Sequence, residues 1–344
     1  MSTLRLTGSC ALAAMASLLL HTNAPAAELP QTMQAAAVDR AGAALTLHTL
    51  PVPKPAADEV LIAVHFAGVA SWDVSLQRHP EIIEHSRFPF VLGTDAVGTV
   101  AAQGSRVRGF NVGDRVYAGA WDNANGGFYA EYVAVPQEQV GHVPEGLSLE
   151  EAAAIFGTAS TALQGIDGTL HLKAGQTVII HGATGGVGML AVQFAKLRGA
   201  RVLATASGED GLAFARSFGA DAVVDGRHGD IRAAAREFAP GGVDAVLGLA
   251  GGEPLERCID AVRRGGQVAF PNGVNPEPKA RAGIKVIGYD GEAGRAALER
   301  LNRAVIAARP RVPIAAQFAL ADAQQAHDRQ AAGHVLGKIL IKVH

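Results

Sequence analysis

The segment Val178-Ile179-Ile180-His181-Gly182-Ala183-Thr184-Gly185-Gly186-Val187-Gly188 constrains the fold of this chain more than any other. An apolar run of strand length ends at Gly182, glycines recur at 185, 186 and 188, and helix-forming residues continue from 187 to 198. Glycine lets the backbone turn tightly and lets an anion approach the main chain. A helix N-terminus adds free N–H groups and a partial positive charge. The chain holds 41 glycines, so spaced glycines alone carry little; the strand before, the helix after and a second β-prone run at 201–205 carry the argument. The unit reads as a dinucleotide cradle, with Gly182, Ala183, Thr184, Gly185, Gly186, Val187 and Gly188 as its candidate binding residues.

The end of the second run bears on which dinucleotide. A carboxylate there would bond the adenosine ribose 2′-hydroxyl and select NAD. The sequence instead runs Leu203-Ala204-Thr205-Ala206-Ser207-Gly208. The small hydroxyl of Ser207 accommodates a 2′-phosphate, which favours NADP(H) over NAD(H), although no Lys or Arg follows closely and Glu209 and Asp210 lie just beyond.

Around this unit the texture alternates. Short β-prone runs at 177–181, 201–205, 222–224, 243–247, 267–270 and 285–287 are separated by helical stretches at 187–198, 209–218, 231–238 and 254–262. That alternation predicts a parallel sheet covered by helices on both faces, an α/β fold. Ser207 with Asp210 three residues on reads as a capping pair for the second helix. Before about residue 154 the texture differs: strand-length runs at 60–66, 98–102, 115–118 and 132–135 are broken by Gly and Pro, which suggests an irregular β-barrel or sandwich. A helix near 294–308 is stopped by Pro310 and Pro313, and the tail 333–341 returns to strand texture. The expected organisation is a leader at 1–26, a β-rich domain at 27–154, a nucleotide-binding domain at 155–309 and a C-terminal return to the first domain at 310–344.

Composition excludes some functions. With 49% hydrophobic residues and a net charge of -2 over 344 residues, the chain can build packed cores and has no field suited to neutralising phosphates, so nucleic acid is not an expected partner. Of the two cysteines, Cys10 falls in the leader and Cys258 then stands alone, so neither an intrachain disulfide nor a cysteine-based structural zinc site is expected. Residues 1–26 read as a secretory signal: Arg5 gives positive charge, 11–20 is a short apolar run, and Ala24-Pro25-Ala26 offers small residues for cleavage. About ten apolar residues are too few to span a bilayer, so no stable membrane insertion is expected. The expectation is a periplasmic or secreted protein; a true start at Met33 would make it cytoplasmic.

Beyond the cradle, the chain carries Ala67-Gly68-Val69, Val91-Leu92-Gly93-Thr94-Asp95-Ala96-Val97-Gly98, Val112-Gly113-Asp114-Arg115-Val116, Gly127-Phe128-Tyr129-Ala130-Glu131-Tyr132 and Gly337-Lys338-Ile339. With these, nearly the whole chain from Met33 resembles the medium-chain dehydrogenase/reductase superfamily, and within it the zinc-free quinone oxidoreductase and enoyl reductase branch. The resemblance implies a GroES-like catalytic domain with an inserted Rossmann domain, a cleft between them, and often a homodimer. In zinc-dependent relatives a Cys follows Gly-Val and a Gly-His-Glu triplet follows later; here Ala70 and Gly93-Thr94-Asp95 stand at those places. A catalytic zinc needs about three protein ligands, and Asp95 alone survives. His79 and His85 read as solvated loop residues, so no metal site is expected.

Without a Lewis acid, reduction of a quinone or an α,β-unsaturated carbonyl suits the site better than alcohol oxidation. Hydride goes to an electrophilic carbon, and charge collects on a conjugated oxygen that needs hydrogen-bond donors and a proton. Many relatives carry a Tyr where this chain has Ser75, so Ser75 or a bound water would have to deliver that proton. Trp72 is a candidate wall for a flat substrate, or simply packs between loops. By resemblance Thr161 lies at the nicotinamide end of the cofactor, and Asn272, in the loop after the fifth strand, is placed near it. Two alternatives stay open: a dinucleotide-binding protein whose catalysis has lapsed, and a zinc-type alcohol dehydrogenase.

Overall fold

The computed structural model describes residues 29–83 and 87–344. The signal-peptide reading, with Arg5 and Cys10, and His85 lie outside the described residues. The first part of the chain runs β1 (Thr32–Val38), β2 (Thr46–Pro51), β3 (Glu59–Val69), helix α1 (Ser71–Arg78), β4 (Phe90–Val91), β5 (Asp95–Gln103), β6 (Arg115–Gly119), β7 (Tyr132–Pro136) and β8 (Val140–His142). β1 pairs antiparallel with β2 and β4 in a small sheet. β3 organises the larger one. Its residues Val60, Leu61, Ile62 and Val64 are fully buried, as befits a strand covered on both faces. β5 pairs along one edge of β3, and β7 pairs with the first half of the other edge. These strands form two separate sheets rather than one closed barrel.

Helix α2 (Leu149–Leu163) follows, which the strand-and-turn reading of the sequence leaves unmarked. Its start is a reciprocal cap: Glu151 N–H donates to Ser148 Oγ at 3.1 Å, and Ser148 N–H to Glu151 Oε2 at 2.8 Å. Apolar on nearly every side past its first turn, α2 is buried over Ala152–Phe156 and again at Thr158, Ala159, Ala162 and Leu163. It joins the two parts of the molecule, because one core runs from Val97, Tyr117 and Leu340 through Ile155 and Ala159 to Leu190 and Ala204.

The α/β part comprises β9 (Thr177–His181), α3 (Gly186–Leu197), β10 (Arg201–Ala206), α4 (Gly208–Ser217), β11 (Ala222–Asp225), α5 (Ile231–Phe238), β12 (Val243–Gly248), α6 (Glu253–Ile259), β13 (Val262–Pro271) and β14 (Lys285–Tyr289). All six strands are parallel, in the order β11-β10-β9-β12-β13-β14. This is the doubly wound arrangement, whose strand order reverses between β9 and β12 and opens a ligand crevice at the strands' C-terminal ends. Side chains alternate between its faces: Val178 and Ile180 enter the core with α2 and α3, while Ile179 packs with Leu255, Cys258 and Ile259 of α6.

The chain then forms α7 (Arg295–Ala308), β15 (Ile314–Ala319), α8 (Ala323–Ala331) and β16 (Lys338–Lys342). β16 pairs antiparallel with the second half of β3, which returns the C-terminus to the first sheet. Two local expectations are corrected. The sixth helix ends at Ile259 rather than 262, because Val262 already pairs with Val243 as the start of β13. Ser207 is the N-cap of α4 but makes no side-chain cap, and the Asp210 carboxylate is instead taken by His334 at 2.8 Å.

Candidate active site

The cradle forms where β9 ends. Gly182 turns the chain with φ +85°, a left-handed backbone open to glycine. Its N–H donates to Thr205 Oγ1 at 3.2 Å, and Ala183 N–H donates to Thr205 O at 3.0 Å, so β10 holds the turn. His181 Nδ1 lies 2.8 Å from the same hydroxyl. Burial and the Arg257 charge push His181 down to about 4, so the ring is neutral there. The N-cap of α3 is Gly185, which offers no capping side chain, so the first-turn N–H groups of Gly186, Val187 and Gly188 face outward. A β-carbon on Gly188 would stand 2.1 Å from Gly182 O, whereas one on Gly185 would meet nothing nearer than 3.8 Å. Gly188 allows the helix to close on the turn, and Gly185 leaves open space before the helix. These residues fit a pyrophosphate.

The other candidate cofactor residues sit at two corners of this crevice. Ser207 is half-buried at the end of β10. Beside it Gly208 N–H donates to Asp225 Oδ2 at 3.1 Å, and Asp225 Oδ1 accepts from the N–H groups of Arg227 and His228. Those bonds hold the Asp225 carboxyl below its ordinary range. At the opposite corner Thr161 O accepts from the Tyr289 hydroxyl at 3.1 Å. A β-carbon on Gly291 would meet Thr161 Oγ1 at 3.6 Å, and Asn272 donates to Asp290 Oδ2 at 2.8 Å. The Tyr289–Gly291 stretch therefore brings Thr161 and Asn272 together.

Across α2 lies a buried polar cluster at the start of α1. Trp72 Nε1 donates to Thr94 Oγ1 at 2.7 Å, and Thr94 Oγ1 donates to Asp73 Oδ1 at 3.0 Å. Asp73 Oδ2 accepts from Ala70 N–H at 2.8 Å. Next to it, the Asp95 carboxylate is packed between two glycines: a β-carbon on Gly68 would come within 2.3 Å of Oδ1, and one on Gly157 within 2.0 Å of Oδ2. Lys338 of β16 is buried against Gly68. Burial and then the neighbouring Asp95 push Asp73 up to about 7, against the opposing pull of Lys338 and the hydrogen bonds. Tyr129 closes the cluster, its hydroxyl 3.3 Å from Gly68 O and 3.2 Å from His327 Nε2.

Trp72 thus joins the cluster through its indole N–H. Ser75 is exposed one turn further along α1 and makes no hydrogen bond to Trp72 or Thr94 among the described residues. Asp73, Thr94 and Lys338 are not site candidates from sequence: Asp73 stands third in α1, a helix the sequence leaves unmarked, and its burial depends on strands far away in the chain. His79 is exposed and pairs with Glu81. Among the described residues no three His, Cys, Asp or Glu side chains gather as a metal site. Cys258 is buried in α6, its thiol pushed up to about 12 by burial, which makes it inert.

A GroES-like sheet carrying a Rossmann sheet defines a nucleotide-dependent oxidoreductase fold, and the comparisons agree. The family described as "Alcohol dehydrogenase GroES-like domain" matches residues 56–145, and "Zinc-binding dehydrogenase" matches 186–278. A quinone oxidoreductase of Pseudomonas aeruginosa is 30% identical over 269 residues, covering 74% of this chain and 82% of its own. The solved quinone oxidoreductase from Coxiella burnetii superposes with a TM-score of 0.82 at 29% identity, over 91% of this chain and 100% of its own. A mycobacterial protein complexed with NADPH superposes with a TM-score of 0.79 at 25% identity, over 90% and 100%. The chain belongs to the medium-chain dehydrogenase/reductase superfamily, as a quinone-oxidoreductase-like oxidoreductase.

Proposed function

We propose that this protein is a zinc-independent, NADP(H)-dependent oxidoreductase that reduces quinones or α,β-unsaturated carbonyl compounds. The observation that carries this reading is the uncapped N-terminus of α3 at Gly185, open in front and placed at the strand-order reversal. When bound there, the reduced dinucleotide supplies a hydride. The α3 N–H groups would hold its pyrophosphate, and Thr161 and Asn272 would orient its nicotinamide end. Trp72 would wall the substrate side and Ser75 would face solvent at the rim.

NADP(H) is supported by what surrounds Ser207. Asp225 accepts from three backbone N–H groups, and Asp210 accepts from His334 and from Gly211 N–H, so both carboxylates already have donors that compete with a ribose hydroxyl. Arg227 and His228 follow β11 on the surface. Zinc independence is supported by the donor set: Ala70 offers no ligand atom, and the Thr94 hydroxyl is committed to Trp72 and Asp73. The export reading rests on the leader composition, and the N-terminal residue of native protein, by mass spectrometry, tests it: Ala27 means processing, Met33 or Gln34 a cytoplasmic start.

The function is tested by rapid mixing of metal-stripped protein and NADPH with a panel of quinones and enones. The expected result is NADPH oxidation well above the buffer blank with at least one acceptor class, unchanged by added zinc. Oxidation no faster than the blank would leave a nucleotide-binding protein whose catalysis has lapsed.

A further inference from the structure

The cluster at α1 holds a hydroxyl whose donor direction depends on a neighbouring proton. An indole N–H can only donate, so Trp72 occupies one lone pair of Thr94 Oγ1 permanently. While Asp73 is ionised, the Thr94 proton is drawn to Asp73 Oδ1. When Asp73 carries a proton, its O–H donates to the remaining lone pair of Thr94, and the Thr94 hydrogen is released to point elsewhere. Thr94 also lines a crevice of about 10 Å³, the size of one water, with Leu92, Gly93, Ala120 and Trp121, so there is space beside the hydroxyl.

We propose that Thr94 and Asp73 are the proton-delivery pair of the reduction, Thr94 as the catalytic donor and Asp73 as the residue that recharges it. The inference rests on the reductase reading above. As the conjugated carbon of the substrate accepts the hydride, its π pair moves onto the carbonyl oxygen. The Thr94 O–H bond breaks and a new O–H bond forms on that oxygen; the Asp73 O–H bond breaks and re-forms the Thr94 hydroxyl. Asp73 is left as a carboxylate and regains one proton from water through the same hydroxyl once the product, an enol that becomes the saturated ketone, has left. For a quinone, the ring carbon that took the hydride then loses a proton to solvent as the second oxygen gains one, which leaves the hydroquinone.

The surroundings favour a proton on Asp73. It is fully buried, and the groups facing it are Asp95 from β5, Lys338 from β16 and Tyr129, with His327 of α8 behind the phenol. Burial keeps Tyr129 protonated and His327 neutral, the latter pushed down to about 4. Two carboxylates and one ammonium therefore share one enclosed space, and Asp95 Oδ2 and Lys338 Nζ have no hydrogen-bond partner among the described residues. Burial raises the Asp95 carboxyl as well, and one proton on this pair neutralises the group. The Asp73 level of about 7 lets the proton leave and return near neutral pH.

The test compares the full-length wild type with Thr94→Val, Thr94→Ser and Asp73→Asn. Single-turnover NADPH oxidation is followed from about pH 5.5 to 9 with the acceptor found above, and infrared difference spectra are taken of each protein alone. The expected result is a wild-type rate that falls above about pH 7, a Thr94→Val rate roughly tenfold or more lower, recovery in Thr94→Ser, and a slow, pH-independent Asp73→Asn. NADPH affinity should stay the same in all four. The wild type should show a protonated-carboxyl band that fades near neutral pH and is missing from Asp73→Asn. An active wild type whose rate and pH profile are matched by Thr94→Val or Asp73→Asn, or the absence of that band, overturns the relay alone. A wild type that oxidises NADPH no faster than the blank, whichever acceptor is added, removes the reductase reading, and the relay with it.

Discussion

Gly157, in the middle of α2, lies so close to Asp95 that a β-carbon there would stand 2.0 Å from Asp95 Oδ2. Glycine inside a helix ordinarily costs about 0.5–1 kcal/mol relative to alanine. Here it makes room for a buried carboxylate, and overpacking such a site costs about 1–3 kcal/mol. Gly157→Ala should therefore lower the melting temperature, where the helix-propensity argument alone would raise it. Thermal denaturation decides; an unchanged or higher midpoint would show that Asp95 is not held as described.

The pH dependence of stability carries opposing contributions. Asp73 titrates at about 7 in the folded chain, against an ordinary value near 3.8. The folded state thus binds the extra proton between those values, and this contribution, full at low pH, is lost as pH rises from about 4 to 7. Asp73→Asn removes it, so the variant should gain on the wild type by up to about 4 kcal/mol across that interval. Denaturant titrations at pH 4, 5.5 and 7 measure this, and a constant difference would contradict it.

His181 and His327 act the other way. Burial lowers both from 6.5 to about 4, so between those values the unfolded chain binds protons that the folded chain refuses. Stability should fall on acidification through this window, by up to about 3 kcal/mol per ring. His327→Gln should lose its share of that slope in the same titrations, and an undiminished slope would count against a neutral buried ring.

Cofactor preference turns on Ser207. A carboxylate at that position would accept from a ribose 2′-hydroxyl and repel a 2′-phosphate. Ser207→Asp is expected to shift the NADPH-to-NADH affinity ratio toward NADH by roughly tenfold or more. Equilibrium binding of both nucleotides checks it, and an unmoved ratio would place selection elsewhere, at Arg227, His228 or His334.

The legible parts of the fold were those whose signal is local. The strand at Thr177–His181 is apolar throughout and bounded by Gly182, and the six parallel strands follow the same local texture. The helix Leu149–Leu163 escaped notice because alanine and apolar residues on every side give it no amphipathic stripe, and only its Ser148–Glu151 cap marked it. The cradle was readable for the same local reason as its strand. The α1 cluster was not: Asp73 resembles any polar helix residue until Thr94, Asp95 and Lys338 arrive from β5 and β16. His334 likewise reaches Asp210 only because the tail folds back, so the partner of that carboxylate could not be read beside it.

The central claim is that a dinucleotide rests against the N-terminus of α3. The direct measurement is titration of wild type and Gly185→Ala with NADPH, following the fluorescence of the two tryptophans, Trp72 and Trp121, and the melting temperature. Position 185 has φ −70° and open space where the new methyl would go, so the variant should melt like the wild type on its own. The account expects saturable binding and a raised melting point in the wild type, and binding roughly tenfold weaker or worse in Gly185→Ala, whose methyl occupies the pyrophosphate's place. A wild type unmoved by millimolar NADPH and NADH, or a Gly185→Ala that binds as the wild type does, would contradict it.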